Sequence, residues 1–234
     1  MILYGTRRPR APLTKIRPST LADAGIIGPI LFMTVLLAQD LLRSEYDPLA
    51  VGLSPLRMGP YGWVQSVNFV VLGIAMIAFS AGLHRGVHGF GAGFIGPAIL
   101  TWSGVALVFA GVFPLRESTE GFGYQPDALY AVNNSSLGLS LSIGLIVLSR
   151  RLTRDTRWRS LAPLTLTTGV AVLVMAMSTN FLAVLEPWYG LMRRATFLAW
   201  SIAIVVLGLR LRRLGKDAGI RSEPRAVPGQ RQPF

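Results

Sequence analysis

Trp63–Leu83 reads WVQSVNFVVLGIAMIAFSAGL, twenty-one residues without one Asp, Glu, Lys or Arg. An α-helix rises about 1.5 Å per residue, so a run of this length covers the roughly 30 Å hydrocarbon layer of a bilayer. Its two amides, Gln65 and Asn68, lie at the N-terminal end, and the rest is too uniformly apolar for a helix with one wet face. This stretch reads as a transmembrane span.

Five further stretches share the pattern: Ala24–Leu42, Gly93–Phe113, Ala128–Ser149, Leu161–Leu185 and Ala195–Leu209. The last is short, but Arg194 and Arg210 at its edges can extend their stems along the helix and place their guanidinium groups in the headgroup layer. The expected fold is all-α, a polytopic integral membrane bundle of six transmembrane helices. A basic N-tail occupies residues 1–20, the membrane domain 21–213, and a polar, Pro/Gly-rich C-tail, expected to be disordered, 214–234. Thr20-Leu-Ala-Asp23 carries the spacing of a helix N-cap. No small-x-small site follows Leu37, so the first span is expected to stay uncleaved, and Pro9 after Arg7-Arg8 argues against a twin-arginine signal.

Composition points the same way. Of 234 residues 51% are hydrophobic and 15% charged, and the mean hydropathy is +0.49. A soluble surface needs about a quarter of charged residues, which excludes an ordinary soluble enzyme. With no Cys and two His, disulfide frameworks, thiolate catalysis, iron–sulfur clusters and cysteine zinc sites are excluded, and no cofactor or metal is expected.

Charge placement predicts orientation, because basic loops are retained in the cytoplasm during insertion. The N-tail, the Arg85 loop, the Arg150–Arg159 loop and the C-tail together hold eighteen of the 23 Lys and Arg. The opposite loops hold Arg43, Arg57, Arg116, Arg193 and Arg194 with seven of the 11 acids: Asp40, Glu45, Asp47, Glu117, Glu120, Asp127 and Glu186. Both termini are therefore expected to be cytoplasmic and the protein to lie in a plasma membrane, with the abundance of Arg, Ala, Gly and Val suggesting a bacterial source. The same distribution accounts for the net charge of +12 without nucleic acid, since the basic blocks lie beside spans and lack interleaved aromatic residues. Expected partners are the lipid bilayer, anionic headgroups, and a membrane-protein partner or a second copy of the chain.

Several motifs carry less than their form suggests. Gly91-Ala-Gly93-Phe-Ile-Gly96 matches a dinucleotide fingerprint, yet no strand precedes it and no acid follows at the required distance. His84 and His88 have the four-residue spacing of a metal pair, but Gly86 interrupts the helix and no third ligand is near. Asn133-Asn134-Ser135-Ser136 holds two glycosylation sequons at the start of a span, where they are discounted.

The more informative signal is the depth of the polar residues, because a polar group in hydrocarbon requires a partner or a wet cavity. Gln39, Asp40, Gln65, Asn68, Asn133, Asn134, Ser136, Ser140, Ser178, Thr179 and Asn180 all fall in the outer halves of their spans. Asp40, Gln65, Asn68, Asn133, Ser136, Asn180, Glu186, Arg193 and Arg194 are accordingly the candidate lining of an outward-facing polar pocket. The alternative is hydrogen bonding between helices with no ligand, each bond contributing about 0.6 kcal/mol. Between the first two spans Pro48, Pro55 and Pro60 stiffen a loop that can fold back as a lid, carrying Asp47, Arg57 and Tyr61. Trp63, Trp188, Tyr61 and Tyr189 have the placement of interfacial anchors.

Glu45-Tyr46-Asp47-Pro48, Gly59-Pro60-Tyr61-Gly62-Trp63-Val64-Gln65, Asn68-Phe69 and Gly111-Val112-Phe113-Pro114 occur in an order that resembles the bacterial six-span membrane family catalogued as domain of unknown function 998. The resemblance covers roughly residues 20 to 213 and implies six membrane helices, with no established activity to carry over. Members often have an Asp after the Phe-Pro and histidines at the outer start of span four. Leu115-Arg116-Glu117 and Tyr130–Asn134 depart from both, so any metal or proton chemistry of those groups is lost or passes to Asn133 and Asn134.

Three functions remain open. The first is a binding or transport module admitting a small amphiphile or lipid to the outer pocket. The second is an accessory or scaffold subunit docking through small residues such as Gly73, Gly104 and Gly111. The third and weakest is an intramembrane enzyme with Asp40 as base and Glu45, Glu117 or Glu186 as its partner.

Overall fold

The structure is a computed structural model that describes residues 18–87, 94–113, 116–117, 124–125, 128–181 and 187–222. It has six long helices: α1 (Pro18–Leu42), α2 (Gly62–Gly86), α3 (Ile95–Val112), α4 (Ala128–Leu152), α5 (Ala162–Phe181) and α6 (Tyr189–Ser222). Each is long and apolar enough to cross a membrane, so the protein is an all-α, multi-pass membrane protein. The sole extended structure among the described residues is a two-residue antiparallel pairing, Arg116–Glu117 with Tyr124–Gln125, in the connection between α3 and α4.

Consecutive helices pack side by side, and α6 closes the ring on α1 while also touching α2. The helices alternate in direction. At what we term the upper end, α1, α3 and α5 finish and α2, α4 and α6 begin; the termini of the bundle lie at the lower end. Along α2, Gln65, Phe69, Leu72, Met76, Phe79 and Leu83 recur every three or four residues and are buried. Val67, Val71 and Ile74 are exposed on the opposite face. In a membrane that face meets lipid tails, so apolar residues occupy both sides and the inner side is marked by small and polar groups.

Three glycines set the α2–α3 contact. A Cβ on Gly73 would lie 2.5 Å from the Gly104 carbonyl oxygen, one on Gly104 2.7 Å from that of Gly73, and one on Gly111 2.6 Å from that of Ser66. Without side chains there the backbones approach closely. Gly73, Gly104 and Gly111 are thus consumed inside the molecule, which takes from the scaffold reading the contact residues it named.

The lower end is tied by arginines. Arg151 at the end of α4 donates to the carbonyls of His84 and Val87, capping the C-terminus of α2. Trp158, fully buried, donates its Nε1–H to Gly86 at 3.4 Å. Arg157 grips Asp155 at 2.8 Å, and that hydrogen bond raises the guanidinium pKa. Arg210 donates to the Arg157 carbonyl at 2.6 Å.

Two boundaries differ from expectation. Helix α1 begins at Pro18, so Thr20 lies within its first turn rather than at its cap, and Asp23 pairs instead with Arg212 at 3.3 Å. Helix α6 does not stop at Leu209 but continues to Ser222, because Leu211 is buried and Arg210 and Arg212 have partners across the lower end. His88 and Gly91–Gly93 lie outside the described residues.

Candidate binding site at the upper end

The connection between α1 and α2 is folded onto the bundle rather than held away from it. Leu53 and Leu56 are buried in the core. Arg43, itself buried, donates to the carbonyls of Leu56 at 2.6 Å and Met58 at 2.9 Å and bonds Glu45 at 2.8 Å. The Arg43 hydrogen bond, with Glu45's own backbone amide, holds the Glu45 carboxyl below the usual carboxylate range. Arg57 reaches Ser66 Oγ at 3.1 Å and the carbonyls of Gly111 and Phe113, the negative end of α3. Gly59 has φ +73° and turns the chain into α2. On the other side Leu191 N donates to Leu49 O at 2.9 Å, and a Cβ on Gly190 would lie 2.6 Å from the Pro48 carbonyl. The proline-stiffened loop is therefore a roof pinned to α3 and α6.

Under this roof the adjacent arginines of α6 face different ways. Arg194 bonds Asp40 through two hydrogen bonds of 2.8 and 2.6 Å, both side chains being 9% exposed, and also donates to Val51 O at 2.7 Å. Arg193, 100° around the helix, donates its Nε–H to the Tyr189 hydroxyl at 3.1 Å and lies 5.1 Å from that ring's centroid. Among the described residues no carboxylate pairs with Arg193, and no hydrogen bond engages its terminal nitrogens.

Two cavities meet at Arg193 and Asn134, which line both. The inner one, about 80 Å³, lies beneath Gly52–Pro55 and is walled by Phe69, Ala110, Tyr130, Leu137, Tyr189 and Phe197. Tyr130 donates to Ser54 Oγ at 2.9 Å across it, and the Arg57 guanidinium lies 5.9 Å from the Tyr130 ring. The other, about 270 Å³, is a lateral cleft formed by Ser135, Gly138 and Leu139 of α4 with Ala176 and Met177 of α5. Ser135 and Leu139 are exposed on the outer surface of the bundle, so the cleft opens sideways.

The other sequence candidates occupy distinct places. Gln39, Gln65 and Asn68 are buried together: Gln39 Nε2 donates to Gln65 Oε1 at 2.8 Å, and Asn68 Nδ2 to the same oxygen at 3.2 Å and to Phe32 O at 3.1 Å. They join α1 to α2 and line neither cavity. Asn133 donates to Ala106 O of α3 at 3.1 Å, and Ser136 bonds back to the Asn133 carbonyl at 2.9 Å. Asp47 accepts from Leu49 N at 2.9 Å in an exposed turn, and Tyr61 is exposed at the roof's edge. The Asn180 side chain and all of Glu186 lie outside the described residues. Asp40 and Glu45 are held by arginines, and no described carboxylate lines either cavity.

The depth of the polar residues does not single out Ser54, Tyr130, Asn134 and Tyr189 as pocket residues. A signal for them existed: Tyr130, Asn134 and Leu137 are spaced four and three apart, and Tyr189 and Arg193 four apart, so each set shares a helix face. Asn134 stood among the polar residues of its span and Tyr189 among the aromatic anchors, and one sequence does not say which face looks inward.

The family model described as a protein of unknown function, DUF998, matches residues 26–210. No curated protein and no solved structure matches the chain.

Proposed function

The chain belongs to the DUF998 family, and from that premise and the upper-end geometry we propose that it is a membrane-embedded binding module for a small amphiphile or lipid. The observation that carries this reading is the pair of cavities sharing Arg193 and Asn134, one beneath the roof, the other opening sideways between α4 and α5. A head with hydrogen-bonding atoms suits the shared Arg193 and Asn134, and a hydrocarbon chain suits Leu139, Ala176 and Met177 along the cleft. Both termini are cytoplasmic in this reading, on the strength of the basic loops at the lower end, and the site faces the outer side of a plasma membrane. Passage of the amphiphile across the bilayer is the stronger form of the proposal, for which the cavities supply the binding step.

The test uses the natural absence of cysteine. Ser54→Cys, Asn134→Cys and, as a core control, Leu141→Cys are placed in lipid nanodiscs and treated with a small water-soluble thiol reagent. The first two are expected to react and the third not, and added lysophosphatidate or monoolein is expected to slow Asn134→Cys. Reaction of Asn134→Cys as slow as that of Leu141→Cys, or indifference to both amphiphiles, removes the proposal.

A further inference from the structure

We propose that Arg193 selects an amphiphile with an anionic head, phosphate or carboxylate, and that the amphiphile reaches the site from the bilayer through the cleft between α4 and α5. This rests on the amphiphile reading above and adds the charge of the head and the direction of approach.

The other cations at this end whose side chains are described already have partners. Arg194 and Arg43 are neutralised by Asp40 and Glu45. Arg57 is spread over the carbonyls that end α3. Arg193 has a phenol on its Nε, no hydrogen bond on its terminal nitrogens among the described residues, and a place in the lining of both cavities. A guanidinium offers an arriving phosphate or carboxylate a charge-assisted, bidentate partner, and Arg193 is part-buried at the edge of both cavities. Asn134 supplies an amide at the same junction, able to donate to a head oxygen. A neutral head would leave Arg193 without an opposing charge among the described residues.

The direction follows from the walls. The roof over the inner cavity is tied at both sides by Arg43, Arg57 and Leu191. Among the described residues the lateral cleft has no such tie: Gly138 presents no side chain, and a Cβ there would find nothing nearer than Ala176 Cβ at 3.9 Å. Leu139 at its edge is 41% exposed on the surface that meets lipid tails. A chain can thus slide between α4 and α5 while its head stays at Arg193 near the upper end.

The full chain in phosphatidylcholine nanodiscs is titrated with oleoyl lysophosphatidate, oleate, monoolein and inorganic phosphate, and binding is read by native mass spectrometry and by thermal unfolding. The two anionic amphiphiles are expected to bind about tenfold or more tighter than monoolein. Arg193→Gln should erase that ratio while leaving monoolein binding in place, Arg193→Lys should keep part of it, and Arg213→Gln at the lower end should change nothing. A ratio that survives Arg193→Gln, or that arises only in Glu186→Gln, overturns the proposal. Protection by inorganic phosphate equal to that by lysophosphatidate overturns the membrane-borne source. Equal binding of charged and neutral amphiphiles defeats this inference alone, whereas no binding of any amphiphile defeats the site reading beneath it.

Discussion

Arg193 and Arg194 are neighbours in the chain with opposite surroundings, and the difference fixes what each substitution should do. Arg194 and Asp40 are buried against one another, so removing one partner strands a charge. Asp40→Ala is expected to cost about 3–5 kcal/mol, whereas the joint Asp40→Asn, Arg194→Met replacement should cost less than Asp40→Ala alone. Unfolding measured in one detergent decides the order, and a double variant weaker than the single would contradict the pairing. Glu45 gives a pH prediction. Its carboxyl is held below the usual range by Arg43, so its contribution is present above the unfolded carboxylate pKa and is lost as pH falls through the lower folded value. Cleavage of the α1–α2 roof by an acid-active protease should accelerate in that acidic window, and Glu45→Gln should give the fast rate already at neutral pH. A wild-type rate that stays flat through the window would show that the Arg43 tie does not depend on this carboxylate.

Helix α4 shows how an element converts a cluster of polar letters into separate tasks. Asn133 and Asn134 differ by 100° of helix rotation; the first is bonded to α3 and the second faces the cavities. The amides of α1 and α2 face one another, and the hydroxyls of Ser136, Ser140 and Ser178 return to carbonyls of their own helices. The α2–α3 pair gives the element-scale prediction. Gly104→Ala would press a methyl against the Gly73 carbonyl and should destabilise by about 1–3 kcal/mol. Gly138→Ala, whose methyl would meet Ala176 Cβ at an ordinary contact distance of 3.9 Å, should stabilise by up to about 1 kcal/mol from helix propensity. Similar unfolding temperatures for the two variants would mean that α2 and α3 do not pack as closely as described.

At the scale of the whole molecule, six helices form a ring whose two ends are closed by arginines donating to backbone carbonyls. The roof is part of the core, so Leu56→Ala, at a fully buried position, should cost about 2–5 kcal/mol, as measured by thermal unfolding. A free lid would lose almost nothing. Orientation belongs to this scale as well. A membrane-impermeant thiol reagent applied to intact cells should label Tyr61→Cys at the upper end and spare Thr156→Cys at the lower, both positions being exposed. The reverse pattern would invert the topology and place the site on the cytoplasmic side.

The residues that the sequence disclosed are those whose meaning depends on composition over a window. Trp63–Leu83 has to cross a membrane because twenty-one uncharged residues leave no other solvent for it, and the segments around it repeat the case. Composition over a window discloses six spans, and motif order a family resemblance, together with an upper end rich in amides. It was weaker at edges, as with α6, where contacts of Leu211 and Arg212 carry the helix past its apolar run. Which amide meets a neighbour and which meets a cavity was settled only by tertiary structure. The reason is physical: in lipid both faces of a helix are apolar, so hydrophobic periodicity does not mark the inner side, and a rotation of one residue separates Asn134 from Asn133 and Arg193 from Arg194.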